Sequence, residues 1–290
     1  MPSPSSAAVG VVTVSYNSSA VLGPFLDSAR SSRHPDVVII VVDNGSSDVA
    51  ISRELCGRHG ATLLELDDNL GYGGAINRGI AALPASIMSV LVSNPDVVLG
   101  QKSIGILEAT LAAHSDAGAV GPQVHNLDGS IYPSARRLPS LRSGFGHAVF
   151  GRIWPSNPWT ARYFSDTSRA TELERTGWLS GSCLMVRRSA FDEIHGFDER
   201  FFMYFEDVDL GYRLGKSGWT SYFEPAASVI HTGAHSTKSE SRRMISAHHR
   251  SASLYLQRKY AAWYLFPLRW SIRLGLAIRS GWLQRSGGPA

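Results

Sequence analysis

Three carboxylates stand directly behind an apolar run in the sequence FFMYFEDVDLGYR, residues 201–213. They are Glu206, Asp207 and Asp209, and the residues before them are aromatic or methionine. Acidic side chains are almost never fully buried unless they are paired, and an apolar wall raises the pKa of a carboxylate beside it. Such a carboxylate can take the proton from an attacking hydroxyl. The segment therefore predicts either a general base or the acidic start of a helix.

A second candidate for chemistry is Asp96, in the sequence Asn94-Pro95-Asp96 at the end of an apolar run. A carboxylate there can hold Mg²⁺ or Mn²⁺ against a substrate diphosphate, because these ions take oxygen ligands. His231 ends another apolar run and is a candidate second ligand. Simpler explanations stay open, since Asn-Pro-Asp is favourable turn chemistry and a single histidine is more often structural.

The elements that must position these residues alternate between strand and helix. Strands are predicted at residues 9–17, 36–48, 61–67 and 87–99, and helices at 18–32, with Ser18 or Ser19 as N-cap, 51–60 and 73–83. The second strand is uniformly apolar as far as Asp43, which is typical of a parallel strand covered on both faces. The alternation predicts an α/β sheet whose ligands gather at the carboxyl ends of its strands. Polar clusters stand at those ends, at Asn17, 43–46 and 94–96.

The glycine-rich segment LGYGGAINRG, residues 70–79, resembles a dinucleotide fingerprint only superficially, because Ile76 stands where the last glycine would be required. Its glycines fit better with a backbone that approaches a diphosphate closely. The sequence contains no G-x-x-x-x-G-K-[ST] pattern, which excludes a P-loop NTPase. From about residue 121 to 170 the pattern loosens into Pro, Ser and aromatic residues, which predicts a lid or binding loop.

Composition describes a globular protein of 290 residues, with 43% hydrophobic and 18% charged residues. Two cysteines, Cys56 and Cys183, are too few for a disulfide framework, so a reducing cytoplasmic setting is expected. The first residues show no secretory signal, and no run of about 18 apolar residues predicts a spanning helix.

The last fifty residues differ in charge from the rest of the chain. Residues 241–290 contain nine Lys and Arg and no Asp or Glu, whereas the whole chain has a net charge of only +4. Trp, Leu and Ile alternate with Arg from Trp263 onward in a helical pattern, which favours an anionic membrane surface over nucleic acid as the partner. A helical pair that caps the catalytic domain stays open for residues 244–260. We expect a disordered N-terminus at 1–8, a main domain at 9–240 and a basic amphipathic helical tail at 241–290.

The order of the motifs along the chain is more specific than any one of them. The series VVTVSYN, VVDNGSSD, NLGYGGAINRGI, SNPDV, GWLSGSCLMVRR and GFDERFFMYFEDVDLGYRLGKSGW, with a histidine after it, resembles the family 2 inverting glycosyltransferases of GT-A fold over residues 9–235. Within that family the chain looks closest to the rhamnosyltransferases of actinobacterial cell-wall linker synthesis. The segments DGSIYPSARRLPS and WPSNPW are similar to that subgroup in particular. Its members transfer L-rhamnose from dTDP-rhamnose to a GlcNAc-diphospho-polyprenol.

The resemblance implies a role for each matching residue. Asp207 matches the general base, with Glu206 and Asp209 left open as alternatives. Asp96 and His231 match metal ligands for Mg²⁺ or Mn²⁺, although Asn94 stands where the family often has the first acid. The implied nucleotide-sugar contacts are Tyr16, Asn17, Asp43, Asn69, Gly71, Arg78 and Asn94. The implied acceptor contacts are Trp178, Ser180, Gly181 and Glu206.

The expected protein is therefore a rhamnosyltransferase, with a nucleotide-sugar donor, a lipid-linked sugar acceptor and no nucleic acid partner. It would lie in the cytoplasm, attached peripherally to the inner face of the cell membrane. Two alternatives stay open: a family 2 transferase with another donor and glycan acceptor, and a non-catalytic nucleotide-sugar-binding protein. A sugar-phosphate nucleotidyltransferase is disfavoured, because the segment SYNSSAVLG after the first strand lacks the expected Gly-rich basic loop.

Overall fold

The computed structural model describes residues 8–34, 36–140, 167–233, 241–267 and 270. Its strands are β1 Val9–Ser15, β2 Val37–Asp43, β3 Thr62–Glu65, β4 Ser89–Ser93, β5 Val97–Leu99, β6 Ala117–Asn126, β7 Ile131–Tyr132, β8 Ala135–Arg136, β9 Glu174–Thr176, β10 Trp178–Leu179, β11 Cys183–Arg187 and β12 Thr220–His231. Its α-helices are α1 Ser19–Arg30, α2 Val49–His59, α3 Gly71–Ala82, α4 Ser103–Ala113, α5 Arg188–Glu193, α6 Glu206–Lys216 and α7 Ser241–Lys259. Short 3₁₀ turns lie at Thr167–Arg169 and Trp263–Leu265.

One mixed sheet organises the fold, in the order β3-β2-β1-β4-β11-β6-β12-β5. The first four strands in this order pair in parallel, and β11 is antiparallel to both of its neighbours. Strand β12 runs parallel to β6 and antiparallel to β5. The α/β class expected from the sequence is confirmed.

Alternate residues of the central strands point to two separate apolar cores. Val11 and Val41 lie in the core covered by α1, α2 and α4, whereas Val12 and Val42 lie in the core covered by α3, α5 and α6. Because both faces are covered, β1 and the distal part of β2 are apolar at nearly every position. The polar residues that follow these strands are left at one edge of the sheet.

Two sequence predictions were wrong about where strands begin and end. The strand expected at 87–99 is two strands, β4 and β5, separated by the Asn94-Pro95-Asp96 turn. Strand β4 pairs with β1, and β5 pairs with β12 instead, so the turn moves the chain to another part of the sheet. The loosened region expected from residue 121 begins later, because β6 continues to Asn126. Its pairing with β12 continues past Pro122 and Gln123, with a register shift in β12 between Glu224 and Ser228.

Helix α7 packs onto the main domain. Tyr255 is fully buried there and contacts a small apolar cluster with Phe201 and Val208. For α7 the structure therefore shows the arrangement that sequence left open, a helix that caps the domain. Disorder was expected at residues 1–8, and of these only Ala8 is among the described residues. The segment WPSNPW and residues 271–290 also lie outside the described residues.

Candidate active site

The ends of β1 and β2 form the first part of the site. Asp43 ends β2 opposite Ser15 of β1, and its side chain is buried with 1% exposure. Asp43 Oδ1 accepts a hydrogen bond from Ser46 N at 2.8 Å. Its Oδ2 makes no hydrogen bond within the described residues. A buried carboxylate oxygen of this kind is suited to accept a hydrogen bond from a bound nucleotide.

Asn17 joins the loops that follow these two strands. Its backbone is left-handed, with φ of +50°, and its side-chain oxygen accepts hydrogen bonds from the backbone N and Oγ of Ser47, both at 2.9 Å. Its own N–H donates to Ser46 Oγ at 3.0 Å. The neighbouring ring of Tyr16 is 43% exposed, which leaves a face free to stack on a nucleobase.

Asn44 connects this edge to the start of α3. Its Nδ2 donates to Asn69 Oδ1 at 3.0 Å and to Gly71 O at 3.3 Å, and its Oδ1 accepts from Leu70 N at 2.9 Å. Gly71 has a φ of +75°, and a Cβ there would lie 2.4 Å from Phe202 O. Glycine is therefore required at this position.

Arg78 is not placed with this group. It lies on α3 about 10 Å beyond Gly71 by helix rise, and its Nη1 donates to Glu199 Oε1 at 2.9 Å in an exposed ion pair. Its expected contact with the nucleotide sugar stays a prediction, and the ion pair gives it a structural alternative.

Asp96 and His231 meet where β5 pairs with β12. His231 Nε2 and Asp96 Oδ1 are 3.1 Å apart, with side chains 14% and 11% exposed. Thr232 also binds the backbone oxygen of Asp96, through N at 2.9 Å and Oγ1 at 3.0 Å. In the described parts of the chain, no group of three or more His, Cys, Asp or Glu could hold a metal ion. A metal at this pair would therefore need oxygen ligands from substrate or water.

The turn at Asn94 is connected to the other half of the site. Asn94 N donates to Ser182 O at 2.9 Å, and Ser180 Oγ accepts from Ser182 N at 3.2 Å. Ser180 N in turn donates to Ser134 O at 2.7 Å. The turn at residues 180–182 is therefore held rigidly between β4 and the chain before β8.

Asp207 lies against this turn, in the first turn of α6. Its Oδ2 accepts a hydrogen bond from Gly181 N at 3.0 Å and its Oδ1 from Val208 N at 2.7 Å. Burial raises the pKa of Asp207, while these backbone hydrogen bonds act in the opposite direction. No ion pair holds Asp207 among the residues that the structure describes. A buried carboxylate without a cation is suited to accept a proton.

Glu206 is a second unpaired acid beside it. Burial and the neighbouring charge of Asp207 raise the pKa of Glu206 to about 8, and its Oε2 makes no hydrogen bond within the described chain. Two adjacent carboxylates cannot both ionise easily. The raised pKa favours the protonated form of Glu206, which can donate a hydrogen bond.

Asp209 is excluded as the base, although the sequence left it open. Its side chain is fully buried, and its two oxygens accept hydrogen bonds from Arg213 Nε at 2.6 Å and from Arg258 Nη1 at 2.5 Å. Arg258 also pairs with Asp198. Two guanidinium groups stabilise its charged form, and its side chain is inaccessible to a substrate, so Asp209 binds α7 to α6.

The loop before α6 has a strained backbone. Tyr204 and Phe205 have φ of +67° and +65°, a region that bulky residues rarely adopt. Helix α7 covers this loop, because Ser251 Oγ donates to Met203 O at 2.8 Å and the ring of Phe205 lies 5.8 Å from that of Tyr255. Strain of this kind persists only where surrounding contacts enforce it.

The residues of the aromatic run before α6 lie in different environments. Phe201 is buried in the cluster with Tyr255, whereas Phe202 is 49% exposed. Trp178 packs against α6, where a Cβ on Gly211 would lie 2.8 Å from Trp178 Cβ. Of the expected acceptor residues, Ser180, Gly181 and Glu206 lie beside Asp207.

Sequence reasoning missed Tyr72. Its hydroxyl donates to Gly181 O at 2.5 Å, and it lies in the glycine-rich segment that was considered only for its glycines. No periodicity could identify this partner, which is more than a hundred residues away along the chain.

The chain matches the family model described as glycosyltransferase like family 2 over residues 5–253. It is 45% identical over 285 residues to an N-acetylglucosaminyl-diphospho-decaprenol L-rhamnosyltransferase of Mycobacterium tuberculosis, covering 95% of this chain and 92% of that relative. It is 29% identical over 232 residues to the rhamnosyltransferase WbbL of Escherichia coli strain K12, with 76% and 82% covered.

The crystal structure of S. aureus TarS matches with a TM-score of 0.56 and 14% sequence identity, covering 86% of this chain and 40% of that chain. At that identity the match shows the fold alone. It agrees with the GT-A architecture expected from the motifs. The family match covers the sheet, the Asp96 turn, Asp207 and most of α7. The chain therefore belongs to glycosyltransferase family 2 and is a glycosyltransferase with the GT-A fold.

Proposed function

We propose that this glycosyltransferase moves L-rhamnose from dTDP-L-rhamnose to a GlcNAc-diphospho-polyprenol, with inversion at the anomeric carbon. The observation that supports this most strongly is the 45% identity to the mycobacterial L-rhamnosyltransferase along nearly the whole of both chains. A second observation is the partly buried Asp207, which has backbone partners and no ion pair in the described chain. It is the kind of acid that an attacking hydroxyl requires.

In this proposal Asp207 Oδ2 or Oδ1 takes the proton from the acceptor hydroxyl as its oxygen attacks the sugar. The hydrogen bonds from Gly181 and Val208 orient the carboxylate but leave lone pairs free, since each oxygen can accept more than one hydrogen bond. Loss of such a base typically lowers a rate by about 10²–10⁴. Glu206, in its protonated form, would donate a hydrogen bond to the acceptor and would add no second charge beside Asp207.

Asp96 and His231 would hold Mg²⁺ or Mn²⁺. One carboxylate and one imidazole, completed by diphosphate and water oxygens, is a donor set that these ions accept. The 3.1 Å approach of the two side chains already brings the donors together. The bound ion would neutralise negative charge on the departing nucleoside diphosphate. Asp43, Asn17 and Tyr16 would hold the nucleoside.

The proposed setting is the inner face of the cell membrane, with peripheral attachment. No helix in the described portion is both long and apolar enough to cross a bilayer. The turn after α7 instead exposes aromatic side chains, at 85% for Trp263, 66% for Tyr264, 61% for Phe266 and 60% for Trp270. Exposed aromatics beside a basic segment are suited to an anionic lipid interface.

The decisive experiment offers the full chain a panel of nucleotide sugars, with a short soluble GlcNAc-diphospho-lipid as acceptor. We expect product only with dTDP-L-rhamnose, and an inverted anomeric linkage by NMR. Product formed from another nucleotide sugar would show that the proposed donor is wrong. Donor binding without any transfer would favour a non-catalytic binding protein. Excess EDTA should abolish transfer and added Mg²⁺ or Mn²⁺ should restore it. Full activity in EDTA would leave Asp96 as a turn residue.

Membrane attachment is tested by deleting residues 262–290, which spares α7. We expect the shortened chain to leave anionic vesicles while keeping transfer to the short acceptor, because α7 remains packed on the domain. Each Lys or Arg near an anionic surface contributes on the order of 1 kcal/mol, so added salt should weaken binding of the full chain. A shortened chain that stays on the vesicles would contradict the proposal.

A further inference from the structure

Tyr72 is connected to the proposed base, Asp207, by hydrogen bonds through one intermediate residue, Gly181. Its hydroxyl donates to Gly181 O at 2.5 Å, and Gly181 N donates to Asp207 Oδ2 at 3.0 Å. A Cβ built on Gly181 would lie 3.2 Å from the ring of Tyr72 and 3.7 Å from Asp207 Cβ. Gly181 is therefore held between the tyrosine ring and the carboxylate, with both of its backbone polar groups engaged.

The backbone of Tyr72 also contacts the loop that leads to the base. Tyr72 N donates to Phe202 O at 3.3 Å, and the absent side chain of Gly71 allows the two segments to meet there. The ring of Tyr72 lies edge-on to Phe197, with centroids 6.1 Å apart. Tyr72 thus contacts the Gly181 turn through its hydroxyl and the 201–205 loop through its backbone.

The preceding residue, Gly71, contacts the donor edge, which is the edge of the sheet where β1 and β2 end and where the nucleotide-sugar donor is expected to bind. Gly71 N donates to Asn69 Oδ1 at 2.9 Å and Gly71 O accepts from Asn44 Nδ2 at 3.3 Å. Asn44 follows Asp43 directly in the chain. Two hydrogen bonds and two peptide bonds, Asp43–Asn44 and Gly71–Tyr72, therefore connect the expected nucleoside contact Asp43 to Gly181 through the side chains of Asn44 and Tyr72.

We propose that Tyr72 is a positioning residue that sets the orientation of the base Asp207 by fixing Gly181, and that it couples the donor edge to the base. This inference rests on the proposed function. Burial and the neighbouring carboxylates, Glu206 first, raise the pKa of Tyr72 well above its usual value, so its hydroxyl keeps its proton and stays a donor. Without the Tyr72 hydroxyl, Gly181 O would lose its hydrogen-bond donor. The turn could then rotate and move Gly181 N–H away from the Asp207 carboxylate.

Tyr72→Phe removes the hydroxyl and keeps the ring. We expect kcat to fall about 10-fold or more, since small misplacements of catalytic groups have effects up to about 100-fold. The KM for the donor should stay within about two-fold. Because a hydrogen bond to a carboxylate favours its charged form, a weakened Gly181 bond should move the acid limb of the kcat profile to higher pH. A structural role alone would not move this limb.

The matched control is Tyr222→Phe, whose hydroxyl bonds the Asp116 carboxylate at 3.2 Å on another part of the domain. We expect normal kcat and an unchanged acid limb for that variant. Thermal unfolding of both variants shows whether each is folded. A folded Tyr72→Phe protein with wild-type kcat and pH profile would overturn the inference.

A double variant separates this inference from the proposed function. If Tyr72 acts through Asp207, the change Tyr72→Phe should have no further effect on transfer in an Asp207→Asn background. Multiplied losses would mean that Tyr72 acts elsewhere and would overturn the inference. If Asp207→Asn alone keeps full activity, the assignment of the base is wrong instead.

Discussion

The two aspartates in the first turn of α6 have opposite environments. Asp207 faces the Gly181 turn, where its partners are backbone N–H groups. Asp209 faces α7 and is neutralised by Arg213 and Arg258. Both are carboxylates on the same helix, two residues apart. The difference between them is the presence of a cation.

This contrast separates the two roles of a buried acid. A carboxylate paired with arginine has a fixed charge and holds two elements together. A carboxylate that receives only backbone hydrogen bonds, and whose pKa burial raises, keeps the capacity to accept a proton. Helix α6 therefore presents a reactive face to the Gly181 turn and a structural face to α7.

The largest effect should follow from Asp207→Asn. We expect kcat to fall by about 10²–10⁴, because the amide cannot accept the proton of the attacking hydroxyl. Donor affinity, measured by calorimetry, should remain within a few-fold. Thermal stability should change little, because removing a partly buried charge offsets the loss of one of the two backbone hydrogen bonds, which the amide NH₂ cannot accept. Nearly normal turnover in this variant would show that Asp207 is not the base and would assign that role to Glu206. The contrast between the two faces of α6 would then be lost.

On the structural face, Asp209→Asn should destabilise the fold rather than slow the chemistry selectively. Breaking a buried ion pair by removing one partner typically costs about 3–5 kcal/mol, and we expect the lower part of this range because Arg258 is 24% exposed. Urea unfolding measures the change. The control is Arg53→Met, which breaks the exposed pair with Glu65 and should lower the free energy of unfolding by less than about 1 kcal/mol. Equal losses in both variants would refute the structural role.

A smaller effect should come from Glu206, in the pH dependence of the free energy of unfolding. Its pKa is about 8 in the folded chain against an ordinary value of 4.5. Between these values the folded state binds a proton that the unfolded state has released, so the free energy of unfolding falls as pH rises. The slope is on the order of 1 kcal/mol per pH unit.

Glu206→Gln should flatten this slope between about pH 5 and 8, because the amide does not titrate. Transfer by the variant at pH 7 should remain substantial, since glutamine resembles the protonated acid. The comparison uses urea unfolding at several pH values, with Glu65→Gln on the exposed surface as control. An unchanged slope in Glu206→Gln would show that Glu206 is ionised in the folded protein.

The sequence predicted the donor half of this site better than the acceptor half. Asp43 and Asn17 follow parallel strands, and the ends of such strands lie at one edge of a sheet whatever their loops do. Asp96 and His231 were predicted as metal ligands; their side chains lie 3.1 Å apart, and the metal role stays a prediction. Which acid of the 206–209 group is free could not be predicted, because the answer depends on Arg258, about fifty residues later.

The tail shows the same limit. Its charge pattern indicated nine uncompensated cations, yet Arg258 is neutralised by acids of the main domain. Lys259 likewise donates to Pro139 O at 2.5 Å. Net charge along a segment does not reveal partners that only the fold brings together. The exposed aromatic turn after α7, by contrast, agrees with the pattern read from Trp263 onward.

The left-handed backbone at Tyr204 and Phe205 has a consequence for engineering. Each such residue costs about 1–2 kcal/mol relative to an ordinary conformation, and glycine would avoid that penalty. A laboratory selection for heat resistance alone should therefore favour glycine at either position only where this relief of strain exceeds the packing that the ring loses against α7. The same change would remove the side chains through which α7 restrains the loop before Asp207. Stability gained there would come with a less ordered base, so such a screen should monitor turnover together with melting temperature.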